Sequence, residues 1–270
     1  MNALKLFIII ISSLLMISCG LPDVTGIILE LNQPYITKII PKDHELIVEF
    51  EAQNNEASFS GYNIYFGDKT NPKKYKLYNQ QKVLPTMTET KSETIKKYTF
   101  TIKRGSYYST NNTDIYTLEN KDLNNGIPIY VWVSSYQITP QLESYYYDNF
   151  AKMATPRPEV INKLVSVSND INIEGRNLAK LISIGNILYF QNAVNGSMMR
   201  HPANSLYDIT IPPENGYGND NLEVTANRLY LIKITEDNKS YYGKIYVRSV
   251  SANNAVVDYC RQTAADVLSY

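Results

Sequence analysis

The sequence predicts an all-β protein built from two modules. Three observations carry that expectation: short runs alternating apolar and polar residues with period two, turn clusters of Gly, Pro, Asn and Asp between them, and a composition weighted toward strand formers, with 23 Tyr and 7 Phe in 270 residues. At 44% hydrophobic and 19% charged residues, the chain can fill cores and is not disordered by composition. Basic and acidic side chains balance at 26 each, which argues against a nucleic-acid partner because no excess cation is there to displace phosphate counterions.

The first element is a targeting segment. Met1–Lys5 carries one positive charge, and Leu6–Ile17 runs apolar apart from Ser12 and Ser13. A run of about 12 residues spans roughly 18 Å as a helix, short of the ~30 Å hydrocarbon core, so it reads as a signal peptide and not as a permanent span. Its end, Leu15-Met16-Ile17-Ser18-Cys19, resembles the bacterial lipobox, with Met16 in place of the usual aliphatic residue in the relaxed manner of spirochaete-type lipoproteins. That resemblance implies removal of residues 1–18, lipidation of Cys19, and membrane attachment through diacylglyceryl and acyl chains on its sulfur and new amino terminus. Each buried methylene contributes about 0.8 kcal/mol, so two or three chains anchor durably where one does not. Cleavage removes Lys5 and no acidic group, leaving 25 of the 26 basic and all 26 acidic residues. Gly20 follows the cysteine where inner-membrane retention in enteric-type sorting uses Asp, which favours the outer membrane of the cell envelope. Residues 19–33, with Gly20, Pro22 and Gly26, read as a tether, although Ile27-Ile28-Leu29 also suits a first strand.

From residue 34 the alternation begins. Leu46, Val48 and Phe50 share one face of Glu45–Glu51; Tyr62, Ile64 and Phe66 share one of Gly61–Gly67; Tyr98, Phe100 and Ile102 share one of Lys97–Lys103. In Ile127–Tyr136, Ile129, Val131 and Val133 lie opposite Tyr130, Trp132 and Ser134. About seven such strands separated by turns such as Gly67–Pro72 and Asn124-Asn125-Gly126 predict a two-sheet sandwich, interrupted by a long polar loop from Lys73 to Lys96. Phe59–Phe66 resembles the central strand C of fibronectin type III domains, Leu123 to Ser135 resembles their E–F corner and strand F, and Ala154-Thr155-Pro156-Arg157-Pro158 resembles a closing strand and exit linker. The likeness spans residues 34–157 and implies a fibronectin type III-like sandwich; a generic immunoglobulin-like sandwich is the alternative. No Arg-Gly-Asp tripeptide is present, so the family's integrin binding does not carry over.

The second module, residues 158–270, restarts after the Pro-Arg-Pro segment, a stiff joint. Lys163–Val167, Leu178–Ile184, Ile187–Gln191, Leu222–Ala226, Arg228–Thr235 and Tyr241–Val250 favour extended structure. Gly185-Asn186 and Asp237–Ser240 read as hairpin turns. The tail from Ala255 to Leu268 suits either a last strand, which is favoured, or a helical turn. A small sandwich and a partly closed barrel both fit about 110 residues.

No catalytic signature emerges, and the chain is expected not to be an enzyme. The two histidines, His44 and His201, both read as loop residues, which excludes a His-rich metal site. Nucleophile elbow, P-loop and dinucleotide glycine patterns are absent, and no cofactor or metal site is expected. Glu214–Asn221 is rich in oxygen donors but lacks the ligand spacing of an EF-hand, and reads as an ordinary turn before a weak calcium loop. Lipidation of Cys19 leaves Cys260 without an intramolecular partner, as a buried thiol. The tyrosine clusters Tyr107-Tyr108, Tyr145-Tyr146-Tyr147 and Tyr241-Tyr242 place one ring of each pair on either side of a strand. Sheet propensity explains much of this surplus, and recognition surfaces also favour tyrosine. Trp132 is expected to pack against its own domain. The resulting expectation is a lipid-anchored envelope lipoprotein that displays a binding surface for a protein or glycan ligand; the alternative is a glycan-binding accessory protein or a carbohydrate-active enzyme remnant.

Overall fold

The structure is a computed structural model that describes residues 31–77, 86–92, 94–109, 115–145 and 150–266. The signal segment, Cys19 and most of the tether lie outside the described residues.

Strands β1 (Tyr35–Lys42), β2 (Glu45–Ala52), β5 (Thr86–Thr90) and β6 (Lys96–Lys103) form one antiparallel sheet in the order β1-β2-β6-β5. The facing sheet holds β3 (Phe59–Gly67), β4 (Tyr75–Leu77), β7 (Tyr107–Ser109), β8 (Ile115–Thr117), β9 (Ile129–Gln137), β10 (Leu142–Glu143) and β11 (Lys152–Ala154). Alternation does what the sequence predicts: Leu46, Val48 and Phe50 are fully buried, and with Ile102, Val131 and Val133 they fill the space between the sheets. Phe50 meets Tyr62 edge-on at 5.1 Å and stacks on Tyr98 at 5.3 Å, geometries that add to plain area burial. The all-β sandwich expected of this region is the fold observed.

Two expectations need correction here. The stretch from Lys73 to Lys96 is not simply a polar loop, because it contains β4 and β5; every residue of β5 is exposed, so no apolar face marked it. Residues 31–33, assigned to the tether, pack along the sandwich: the Ser135 hydroxyl donates to the Asn32 carbonyl at 2.6 Å and the Ser144 hydroxyl to Gln33 Oε1 at 2.6 Å.

Beyond Pro158, β12 (Glu159–Ser166), β20 (Asn254–Arg261), β19 (Lys239–Val250), β18 (Arg228–Glu236) and β16 (Gly196–His201) form a five-stranded sheet in that order. It faces a four-stranded sheet of β13 (Asp170–Ile173), β14 (Arg176–Ile184), β15 (Ile187–Asn192) and β17 (Leu222–Glu223). Leu178, Leu181 and Phe190 from the smaller sheet meet Tyr230, Ile232, Ile245 and Val257 from the larger. The larger sheet is covered on its other side too, where Leu229, Leu231, Tyr242 and Cys260 pack with Ala203 and Leu206. The tail is a strand as far as Arg261, as favoured; residues 262–266 form a turn, and Val267 and Leu268 lie outside the described residues. His201 is the end of a strand and not a loop residue: Gly196–His201 pairs along its whole length with β18, a partnership that its short Met-rich sequence does not announce.

The joint between the modules is buried from Ala154 through Pro158. Arg157 is fully buried; its backbone N–H donates to the Lys42 carbonyl at 3.1 Å and its Nη1 to the Pro41 carbonyl at 2.8 Å. The Gly126 N–H donates to the Pro156 carbonyl at 2.8 Å. Across the same seam, the Lys42 ammonium lies 5.1 Å from the centre of the Tyr207 ring, whose hydroxyl donates to Glu159 at 3.1 Å.

Candidate ligand-recognition face

Strands β3 and β9 pair along their length, with Gly61, Asn63 and Tyr65 directly opposite Tyr136, Ser134 and Trp132. Period two sends Tyr62, Ile64, Phe66, Val131 and Val133 to the core. The same period sends Asn63, Tyr65, Trp132, Ser134 and Tyr136 to the outward face of the sheet. Cross-strand neighbours on one face interact, and here two aromatic rings do so: Tyr65 and Trp132 stack at 5.0 Å with 29° between their planes. A bulge at Gly61, at φ +154°, lets Tyr136 lie over the backbone; a Cβ there would meet the ring at 3.1 Å.

A carboxylate completes the row. β10 pairs with the end of β9 and sets Glu143 opposite Tyr136. Glu143 Oε1 accepts from Asn63 Nδ2 at 2.8 Å and from the Tyr65 hydroxyl at 2.8 Å, and the Ser134 hydroxyl donates to the same oxygen. Three donors from two strands fix its position. Burial above all, and then the adjacent Glu143 charge and hydrogen bond, push the Tyr65 phenol far above its ordinary pKa, so Tyr65 stays a donor at every physiological pH.

Two ammonium groups approach the rings. The Lys73 Nζ lies 4.3 Å from the Trp132 ring centre and 5.1 Å from that of Tyr65, and the Lys76 Nζ lies 5.9 Å from Tyr65. Lys76 is placed by β4, whose register puts it opposite Tyr65. Lys73 is placed by the turn before β4. Asp68 Oδ1 accepts from the backbone N–H groups of Thr70 at 2.9 Å and Asn71 at 3.0 Å, and the Lys74 N–H closes the turn onto the Asn71 carbonyl at 3.2 Å. Only glycine fits at 67, because a Cβ there would stand 2.0 Å from the Asn71 carbonyl oxygen. Trp132 itself is fully buried beneath this arrangement.

The outward side of the sheet therefore carries two buried aromatic rings with ammonium groups over them, beside an exposed carboxylate fixed by three donors, and the carboxylate is the group left open to a ligand.

Other residues singled out in the sequence fall elsewhere. Cys19, the lipidation residue, lies outside the described residues. His44 sits in the β1–β2 turn at φ +51° and its Nδ1 lies 3.0 Å from the Leu123 carbonyl, a structural contact. Glu214–Asn221 is pinned at Gly218, which exchanges two 2.9 Å backbone hydrogen bonds with Met198, and among the described residues no group of three His, Cys, Asp or Glu side chains could hold a metal ion. Cys260 is free and fully buried. Of the tyrosine clusters, Tyr145 is exposed and Tyr242 is buried, while Tyr146 and Tyr147 lie outside the described residues. Sequence reasoning read Trp132 correctly as packed but missed Glu143, Tyr65 and Lys73 as its companions.

No protein-family model and no curated relative matches this chain. Among solved structures, it is similar to a DUF4466 family protein from Parabacteroides merdae, at 12% identity and a TM-score of 0.38, over 86% of this chain and 97% of that one. No described helix is long and apolar enough to cross a membrane.

Proposed function

We propose that the chain is a lipid-anchored cell-envelope lipoprotein, held in the outer membrane by diacylglyceryl and palmitate-type acyl chains on Cys19, whose β modules display a recognition surface without catalysing a reaction. The observation that carries the recognition part is the outward side of β3 and β9, where the exposed Glu143 carboxylate is fixed by Asn63, Tyr65 and Ser134 above a buried Trp132–Tyr65 stack. The fibronectin type III resemblance of residues 34–157 fits the same reading, since such sandwiches commonly serve as display modules.

The second reading is a glycan-binding accessory protein, which the exposed and fixed Glu143 carboxylate also suits because sugar hydroxyls donate to carboxylates. The fragment 20–270 and its Tyr65→Ala variant, applied to a glycan array and to a panel of envelope and matrix proteins, test both. Saturable binding to protein that Tyr65→Ala abolishes supports display to a protein partner; saturable binding to glycans alone supports the second reading. Binding that Tyr65→Ala leaves untouched removes the outward face from the account.

A further inference from the structure

We infer that the turn joining β9 to β10, residues 138–141, is a membrane-contact tip that rests on the phospholipid bilayer to which the chain is anchored. The inference rests on the lipoprotein reading and adds which end of the molecule meets the lipid.

Three observations converge on this turn. First, the described chain enters the first module at the same end. The Gln33 side-chain amide donates to the Val133 carbonyl and the Ser135 hydroxyl donates to the Asn32 carbonyl at 2.6 Å, so passing from residue 33 back to residue 32 moves along β9 toward Gln137. There the Asn32 N–H donates to Glu56 at 2.9 Å in the loop between β2 and β3, and Ser58 of that loop donates to Gln137 at 2.5 Å. Twelve peptide units separate Cys19 from Leu31, so no conformation of them holds Leu31 farther than about 40 Å from a lipidated Cys19.

Second, the other module leaves from the opposite end of β9, where Ala154 pairs with Ile129 and the Gly126 N–H donates to the Pro156 carbonyl. The nine residues of β9 set the two ends about 30 Å apart, so the second module does not cover the turn.

Third, the turn is apolar where it is exposed. Ile138 is 69% exposed, and Leu142, 39% exposed, pairs with Gln137 across the base of the turn. A single exposed aliphatic side chain is ordinary. Here two flank one turn, and residues 134–142 carry no charge that would have to lose its water on meeting lipid. The exposed Tyr145 stands farther back, beyond the Ser144 N–H that donates to the Ser135 carbonyl, where an amphipathic ring suits the boundary between lipid and water. Because the acyl chains already hold the protein at the surface, the contact is intramolecular in effect and needs little affinity of its own.

The chain from residue 19 onward would be coupled through the Cys19 thiol to a maleimide-bearing phospholipid in phosphatidylcholine vesicles; Cys260 is fully buried and does not compete. The anchor is then supplied chemically, so failure of the contact is distinguished from failure of acylation in the cell, which palmitate labelling reads. With phosphatidylcholine brominated near the headgroup end of its acyl chains, Gln141→Trp should lose most of its added emission. Val194→Trp, at an 86% exposed position of the second module, and the buried native Trp132 should keep theirs. Adding Ile138→Asp to Gln141→Trp should restore the emission, and Ile138→Ser serves if the aspartate variant folds poorly. Quenching at residue 141 no greater than at residue 194 would overturn the inference, as would quenching that folded Ile138→Asp or Ile138→Ser leaves unchanged. A blue shift at residue 141 without bromine quenching, the signature of a second copy of the chain or another protein on the turn, would overturn it too.

Discussion

Lys244 shows what one buried charge does to this fold. It sits fully buried on β19, its Nζ donating to the Ile209 carbonyl at 2.8 Å. Burial first, and then the positive charge of Arg157, pull its pKa down from 10.5 to about 7. An amine whose pKa is lower in the folded chain than in the unfolded one prefers its neutral form when folded. The penalty is therefore present in full below about pH 7 and is relieved as the pH rises from about 7 toward 10.5. Urea unfolding at several pH values across that window should show stability rising with pH, with a limiting slope of about 1.4 kcal/mol per pH unit from this one group. Lys244→Met should flatten the rise, and a slope that survives the substitution unchanged would assign it to another group. On the outward side of β3 and β9 the corresponding change is smaller. Tyr65→Phe removes one donor from Glu143 while Asn63 and Ser134 remain, so a loss of about 1 kcal/mol is expected by urea unfolding.

At the scale of elements, the hairpins were the most legible part of the sequence because their turns are local. Asp237-Asn238 connects β18 to β19 with φ of +50° and +60°, and Gly185-Asn186 connects β14 to β15 with +57° and +66°. Two successive left-handed residues are what a two-residue hairpin matched to strand twist requires. Asn238→Gly should accordingly stabilise the protein by about 0.5 kcal/mol, seen as a raised thermal midpoint, because glycine enters that region without steric cost. A lowered midpoint would mean that the asparagine side chain makes a contact of its own. Core strands such as β2 were legible through their burial, with Leu46, Val48 and Phe50 on one face. β5 and β16 were not: β5 buries nothing, and β16 owes its strand state to a distant partner, β18, where Gly196 pairs with Ile234 at one end and His201 with Leu229 at the other. The row around Glu143 failed to show for the same reason. Each of its residues looked ordinary in sequence, and Asn63 meets Glu143 across a separation of 80 residues that only the β3–β9–β10 register closes.

For the whole molecule, the buried joint sets how the two modules behave together. The sequence suggested a stiff linker, and the structure shows a clasp in which buried Arg157 donates to the Pro41 and Lys42 carbonyls and Gly126 donates to the Pro156 carbonyl, while Lys42 reaches the Tyr207 ring beyond the joint. Calorimetry should find the modules unfolding in a single transition, and Arg157→Ala, which leaves the Pro41 carbonyl without its donor, should split that transition or lower it by about 2 to 3 kcal/mol. Two separate transitions in the unaltered chain would show that the clasp does not couple them. Display from a membrane is the account's central claim. The measurement that tests it most directly is palmitate labelling and membrane fractionation of the full chain beside its Cys19→Ser variant. The account predicts a labelled, membrane-bound protein that becomes unlabelled and detached, yet still folded, when Cys19 is replaced; an unlabelled wild-type chain, or a Cys19→Ser protein that stays with the membrane, would contradict it.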